Sequence, residues 1–451
     1  MFKRKIESYL ETYLNSDEER ILCIDGARQI GKSYIIRALA KKYYTNYVEV
    51  NMIDDYAGDR LFADVKNKDE FYLQLSILHG DKLKDRENTI VFLDEIQVYP
   101  HLLTMLKSLR YDNRFKYICS GSLLGVTLHK TTSIPMGSIL EKKMYPMDFE
   151  EFMIANGVSK TTLDMLKDKF KTCQPVDDFI HQKLLSLFFV YLIVGGMPDA
   201  VKKYIETKDI REVDKIQKDI VTLYKEDFSQ YEHEDKKLRL KSIYEIVPAE
   251  LNKQNKKFVF TMLNKELKFD RYENSFLWLK DAGVVIPVYN VDSPAIPLLA
   301  SKSSNVFRLF SSDIGLLTSA YPAETKIELI SQNGEVNNGA HFENAVAQQL
   351  LANGFDPYFC KKKNLGELDF LIEMGGKIIP IEVKSGKDYK SHKALDNYMK
   401  VPDYHLESAY IFSIYNVEKD GNIINLPIYM CYLLKEPKID PLIVDLDMSD
   451  L

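Results

Sequence analysis

The sequence predicts an α/β chain of several domains, with a parallel sheet in its N-terminal third, a run of helices in the middle and a second α/β unit at its C-terminal end. An apolar strand, Ile21 to Ile24, passes through a glycine-bearing loop into a segment with apolar residues at Ile35, Ile36, Leu39 and Ala40, the strand–loop–helix order of a parallel sheet. Residues 180–193 carry apolar side chains at helical spacing and stop at Gly195-Gly196. Residues 366–384 read as two strands joined by a tight turn at Gly375-Gly376. At 451 residues the chain has room for two to four domains of roughly 100–200 residues each.

Hydrophobic residues make up 45% of the chain and charged residues 28%, the balance of a soluble globular protein. The longest uncharged apolar run, 184–197, is shorter than the ~20 residues that cross a bilayer and reads as a buried helix. The opening stretch M-F-K-R-K-I-E-S-Y-L-E-T-Y-L has no apolar core of a secretory signal, so a cytoplasmic location with no membrane partner is expected. Cys23, Cys119, Cys173, Cys360 and Cys431 are odd in number and hold no C-x-x-C pair, which predicts reduced thiols rather than a disulfide framework or structural zinc. A net charge of −6 argues against a chain coated in nucleic acid by its overall field. A local basic groove remains open, because Lys361, Lys362, Lys363, Lys384, Lys387, Lys390 and Lys393 crowd together; a solvated lysine face explains them equally well.

The first loop spells G-A-R-Q-I-G-K-S, which satisfies G-x-x-x-x-G-K-[ST] between a strand and a helix. Gly26 and Gly31 let the backbone approach phosphate oxygens, and the helix start offers free N–H groups to the anion. Gly26, Ala27, Arg28, Gln29, Ile30, Gly31, Lys32, Ser33 and Tyr34 are therefore the expected nucleotide-binding residues, with Lys32 reaching the β- and γ-phosphates of ATP and Ser33 ligating Mg²⁺. Phosphoryl transfer also needs a carboxylate near the metal and a group that positions the attacking water. The strand Ile90 to Leu93 supplies both where it ends, Asp94 for Mg²⁺ and Glu95 as general base. A third strand, Tyr117 to Cys119, ends in Ser120-Gly121-Ser122, where Ser120 or Ser122 is placed to sense the γ-phosphate. Arg110 and Arg114 are either surface residues or an arginine finger for a neighbouring subunit.

From about 150 to 230 the pattern is helical, including a charged helix from Asp209 to Tyr224. Residues 238–310 then give a helix from Leu238 to Leu251, a short one near Val259 to Leu263, and a third that ends within 272–285. The apolar stretches Val284 to Val288 and Val306 to Phe310 follow. Three helices and a two-stranded wing suggest a winged-helix-like module. Its third helix, with Glu273, Phe276, Leu277, Trp278 and Leu279, is too apolar and acidic for a plain DNA reader, so packing within the protein stands beside DNA contact.

Residues 339–354 form an amphipathic helix with Phe342, Val346 and Leu350 on one side and Glu343 near its start. Strands Asp369 to Ile372 and Ile378 to Lys384 follow. Alternation sends Ile379, Ile381 and Val383 to the core and puts Glu382 and Lys384 together on the other face, with Asp369 able to point the same way. The arrangement resembles PD-(D/E)xK nucleases. Glu343, Asp369 and Glu382 would then ligate a second Mg²⁺ or Mn²⁺, and Lys384 would orient water or stabilise developing charge. An exposed Glu382–Lys384 ion pair is the bland alternative.

G-A-R-Q-I-G-K-S, L-D-E-I-Q, C-S-G-S, M-Y-P-M-D-F-E-E-F (144–152) and V-G-G-M-P-D-A (194–200) together resemble the successive motifs of prokaryotic AAA-type P-loop ATPases that carry a C-terminal restriction-endonuclease-like domain of unassigned function. The resemblance runs along nearly the whole chain. It implies a P-loop NTPase core over 1–155, a helical lid over 156–232, the winged-helix-like module over 233–310 and a PD-(D/E)xK nuclease-like α/β domain over 311–451. One departure is that many relatives place a basic residue after the glycine preceding the Y-P-M stretch, whereas Ser138 follows Gly137 here. The function expected is Mg²⁺-dependent ATP binding and hydrolysis coupled to a nuclease-like domain acting on DNA or RNA. The alternative is an ATP-gated switch that docks protein or nucleic acid and cuts nothing. Oligomeric state is not legible.

Overall fold

The computed structural model describes residues 2–124, 127, 137–230, 234–253, 258, 272–331, 338–386 and 388–438. Among these residues the strands form two sheets. The first contains β1 (Ile21–Asp25), β2 (Asn46–Asn51), β3 (Thr89–Asp94), β4 (Lys116–Gly121) and β5 (Ile139–Lys143), all parallel, in the order β2-β3-β4-β1-β5. Strands β1, β3 and β4 are buried along their whole length, which is why Ile21–Ile24, Ile90–Leu93 and Tyr117–Cys119 read as apolar runs rather than alternating ones. Their carboxyl ends lie at one edge, where ligands of open parallel sheets bind.

The second sheet comprises β6 (Val285–Val291), β7 (Lys302–Ser311), β8 (Tyr358–Lys362), β9 (Gly366–Met374), β10 (Lys377–Val383), β11 (Ala409–Ser413), β12 (Glu418–Asp420) and β13 (Ile423–Pro427). Its order is β12-β13-β11-β10-β9-β8-β6-β7. The two stretches expected as a wing do pair antiparallel, but they join this larger sheet through the parallel contact of β6 with β8. An isolated two-stranded ribbon buries too little surface to be stable; as part of the sheet, β6 and the second half of β7 are covered. The expected short helix near Val259 to Leu263 lies outside the described residues. In the Glu273–Asp281 helix, Phe276, Trp278 and Leu279 are buried within the chain, Phe276 against Phe307 at 4.9 Å and Trp278 against Phe228 at 5.4 Å between ring centroids.

Between the sheets lie the helices Phe149–Ala155, Lys160–Thr172, Asp178–Val194, Pro198–Thr207 and Ile210–Gln230. The Asp178–Val194 helix is apolar on nearly every side because it touches both units. Phe188 packs on Phe149 and on Phe342, at 5.1 and 6.0 Å, and Tyr429 hydrogen bonds His181 at 2.9 Å. One continuous core therefore runs from β1 to β10.

Two motifs without an obvious chemical role turn out to interlock. The Met147 N–H donates to the Gly196 carbonyl at 2.7 Å, and the Gly196 N–H donates to Asp313 Oδ2 at 2.6 Å. A Cβ at Gly196 would collide with the Met147 backbone, so only glycine fits. Asp313 also accepts the Leu316 N–H at 3.0 Å. It is fully buried, and that burial, against its backbone hydrogen bonds, pushes its carboxyl up to about 6. Folded Asp313 thus keeps its proton to higher pH than the unfolded carboxyl, which ionises near 3.8. Stability contributed here is full below pH ~4 and falls, by at most ~1.4 kcal/mol per pH unit, until pH passes about 6. In equilibrium denaturation between pH 4 and 7, Asp313→Asn is expected to flatten that decline and to lower stability by ~1–3 kcal/mol, since one buried N–H loses its acceptor.

Candidate functional site

The register Ile24↔Ser120 and Leu93↔Cys119 brings the ends of β1, β3 and β4 level, so Asp94, Ser120 and the loop after β1 meet. The loop turns sharply: Gly26, with φ +152°, lies so close to the Met144 carbonyl that a Cβ would collide, and Gln29 is left-handed at φ +64°. Gly31 precedes the Lys32–Tyr43 helix, whose start faces the same edge. Tyr34 projects outward, 58% exposed.

Ser33 Oγ donates to Asp94 Oδ1 at 2.9 Å, and the Ser120 hydroxyl donates to the same oxygen. Asn51 Nδ2 reaches Asp94 Oδ2 at 3.4 Å while its Oδ1 caps the Met52–Ala57 helix. Burial raises the Asp94 carboxyl above its ordinary range, against the two hydroxyl hydrogen bonds. Lys32 is buried with Nζ donating to the Gly26 and Ala27 carbonyls at 2.7 and 2.8 Å, and its pKa is lowered by burial against the pull of Glu95, Asp25 and Asp94. Glu95 has φ +54°, a left-handed backbone that turns the chain sharply after β3. Its Oε2 accepts from Gln97 Nε2 at 2.5 Å and from Ser122 Oγ at 2.9 Å. Burial pushes its carboxyl up, but Lys32, Gln97, Arg28 and Ser122 together leave it below the ordinary range, ionised at neutral pH.

A serine hydroxyl and a carboxylate 2.9 Å apart, the latter buried and raised in pKa, form a donor set that fits a hard divalent cation. The loop also has contacts that the sequence did not signal. Arg4 Nη1 donates to the Ile30 carbonyl at 2.9 Å and Arg4 Nε pairs with Glu151 at 3.1 Å. Tyr224 OH donates to the Arg28 carbonyl at 3.0 Å, and Asp227 pairs with the Arg28 guanidinium at 2.8 Å. Gly283 packs on Ala27, beside a cavity of about 190 Å³ that runs on to Lys280 and Tyr358 of the second unit. Arg110 and Arg114 are both engaged within the chain: Arg110 donates to the Gly137 carbonyl at 2.9 Å, and Arg114 lies over the Tyr72 ring at 4.9 Å.

The C-terminal acids are brought together as expected, but around a different cation. The antiparallel register Ile381↔Phe370 continues to place Asp369 beside Glu382. Arg308, in the middle of β7 and 2% exposed, reaches Glu343 Oε2 at 3.5 Å and Asp369 Oδ1 at 3.7 Å, and it bonds the Glu367 carboxylate. Asp369 Oδ2 accepts the Val383 N–H at 3.0 Å. Among the described residues no group of three or more His, Cys, Asp or Glu side chains is disposed to hold a metal ion. The expected second Mg²⁺ or Mn²⁺ site at Glu343, Asp369 and Glu382 therefore finds no support, and a buried guanidinium already supplies positive charge among these acids.

Glu382 Oε1 accepts from Lys384 Nζ at 2.9 Å, while Oε2 has no hydrogen-bond partner among the described residues. Burial and the neighbouring Asp369 raise its carboxyl to about 8, against Lys384. Strand β10 is buried on both faces rather than one, since Ile378 packs with Leu371, Leu395 and Tyr398 on the side opposite Ile379 and Ile381. The lysine cluster is partly neutralised: Lys361 pairs with Glu367 and Lys390 with Glu418, and Lys362 bonds Tyr404. Lys387 lies outside the described residues.

A parallel sheet bearing this loop, with a carboxylate and a serine at the ends of adjoining strands, defines a P-loop nucleotide-binding domain. Residues 18–153 match the family model of an AAA domain, so this part of the chain is similar to AAA-type P-loop ATPase domains. Residues 185–327 match a domain of unknown function (DUF8612), and residues 338–430 match another (DUF4143). No curated protein matches the chain. Among solved structures, a Walker-type ATPase of Pyrococcus abyssi is similar at 15% identity and a TM-score of 0.42, over 71% of this chain and 96% of that one. The Hsp104–ADP complex of S. cerevisiae is similar at 13% identity and 0.28, over 62% and 38%, and Cdc6p from Pyrobaculum aerophilum at 12% and 0.25, over 73% and 95%. These TM-scores are too low to carry an argument. No described helix is long and apolar enough to cross a membrane.

Removing the cation of the C-terminal cluster would leave Glu343, Glu367 and Asp369 facing each other in a buried place. Arg308→Met is expected to cost ~3–5 kcal/mol in denaturant unfolding. Adding Glu343→Gln to that variant should recover part of the loss.

Proposed function

We propose that the chain is a Mg²⁺-dependent ATPase whose nucleotide state is felt by its C-terminal unit. The observation that carries this reading is the Ser33–Asp94 pair at 2.9 Å beside the buried Lys32. Ser33, with Asp94 behind it, would hold the ion, which when bound neutralises charge on the β- and γ-phosphates. Lys32, now satisfied by two loop carbonyls, has a stronger acceptor in a triphosphate. Glu95, ionised and oriented by Gln97 and Ser122, takes the proton of the attacking water. Ser120, bonded to Asp94, would register the γ-phosphate.

Lys32→Ala is expected to abolish ATP binding in calorimetry. Glu95→Gln should keep binding and lower kcat by about 100-fold or more. Normal turnover in Glu95→Gln would remove Glu95 from its role.

For the C-terminal unit the geometry supports docking rather than cleavage, since Arg308 neutralises the acids that a nuclease would reserve for metal. A nuclease reading is favoured by one observation, the unpartnered Glu382 Oε2 beside Lys384, on an element order of helix Gly339–Ala352 followed by β8, β9 and β10. Full-length protein incubated with DNA or RNA plus Mg²⁺ or Mn²⁺ should yield no phosphodiester products. Products that vanish in Lys384→Ala would establish the nuclease instead.

A further inference from the structure

We infer that Arg28 is a catalytic arginine supplied by the loop of the same chain, and that Asp227 is the positioning residue that holds it until a γ-phosphate arrives. The inference rests on the ATPase reading above. Arg28 is the third residue of the loop, with its side chain 23% exposed at the mouth of the site. Its Nε donates to Ser122 Oγ at 3.2 Å, and Ser122 Oγ donates to Glu95 Oε2 at 2.9 Å, so the guanidinium stands one hydroxyl away from the proposed base. That Nε–H makes the sole hydrogen bond of the Arg28 side chain among the described residues, which leaves the terminal Nη groups to donate to another acceptor. The charge of Arg28 is felt at Glu95 and at Lys32, the groups that flank the transferred phosphoryl.

Asp227 lies on the Ile210–Gln230 helix, one turn beyond Tyr224, and both reach Arg28: the tyrosine holds its carbonyl at 3.0 Å and the aspartate its Nε at 2.8 Å. A buried carboxylate near Glu95 repels an incoming γ-phosphate, while a planar guanidinium with free Nη groups matches its oxygens in a fork. In the reaction, the water oxygen forms a bond to the γ-phosphorus as the β,γ-bridging P–O bond breaks. The electron pair of that bond goes to the β-phosphate of ADP, and Glu95 receives the water proton. Arg28 donates to the equatorial oxygens while charge spreads over them. Arg110 and Arg114 are then not required from a neighbour.

The test uses the full chain, with equilibrium binding of ADP and of a non-hydrolysable ATP analogue alongside steady-state hydrolysis. Arg28→Ala should bind ADP within about threefold of wild type and lose kcat by about 100-fold or more, with Arg28→Lys intermediate. Wild-type kcat per chain should stay constant on dilution. Asp227→Asn should raise the preference for the triphosphate analogue over ADP at least about fivefold. Hydrolysis by Arg28→Ala within about threefold of wild type, or loss of ADP binding as large as the loss of kcat, overturns the role of Arg28. Specific activity that climbs with protein concentration overturns its action within one chain. An unchanged nucleotide preference in Asp227→Asn overturns the positioning role. Wild-type protein that binds ATP without turning it over fails the ATPase reading and this inference together, whereas each preceding result leaves that reading standing.

Discussion

The carboxylate of Asp94 is the point on which the nucleotide site depends. It lies at the end of β3, nearly enclosed, with Ser33 from the loop and Ser120 from β4 both donating to a single oxygen. A buried anion held by two hydroxyls and a long amide contact is costly, and the cost appears as a pKa raised by desolvation. Three strand ends must stay level for those hydroxyls to reach it, so the parallel register of β1, β4 and β3 positions the chemistry as much as the loop does. A divalent cation is the partner that such a carboxylate lacks.

That register is not isolated from the rest of the chain. The loop is touched by Arg4 from the N-terminal segment, by Tyr224 and Asp227 from the long middle helix, and by Gly283 at the entry to the second sheet. The second sheet is tied in turn through Asp313 to Gly196, and Gly196 to Met147. Bonds this short and buried do not stretch; they hold or exchange partners. The loop is therefore in direct contact with the middle helix and with the segment that leads into the second sheet.

The C-terminal cluster obeys the same electrostatics with a different outcome. Acids from β9, β10 and the Gly339–Ala352 helix converge, and Arg308 enters from β7 with its guanidinium over the Phe359 ring at 4.7 Å. An internal cation makes the cluster self-contained, whereas at the Asp94 site Lys32 is turned toward carbonyls and Arg28 stands at the mouth, paired with Asp227. Two sites rich in carboxylate thus differ in what they are prepared to accept.

The loop residues, Asp94, Glu95 and Ser120 were legible in the sequence because their chemistry is local: a turn that needs glycines, an apolar strand, and an acid where it ends. The facing of Asp369, Glu382 and Lys384 was legible for the same reason, since side chains on a strand alternate in a fixed way. Arg308 left a faint trace, one charge inside V-F-R-L-F, but its destination depended on β6 and β7 joining a sheet whose other strands lie far later, between residues 358 and 427. Asp227 and Tyr224 left none, because a polar residue on an amphipathic helix looks alike whether it meets water or a loop two hundred positions away. Short-range sterics and periodicity are written into neighbouring residues; the pairing of distant charges is decided only when the core closes and brings them within reach.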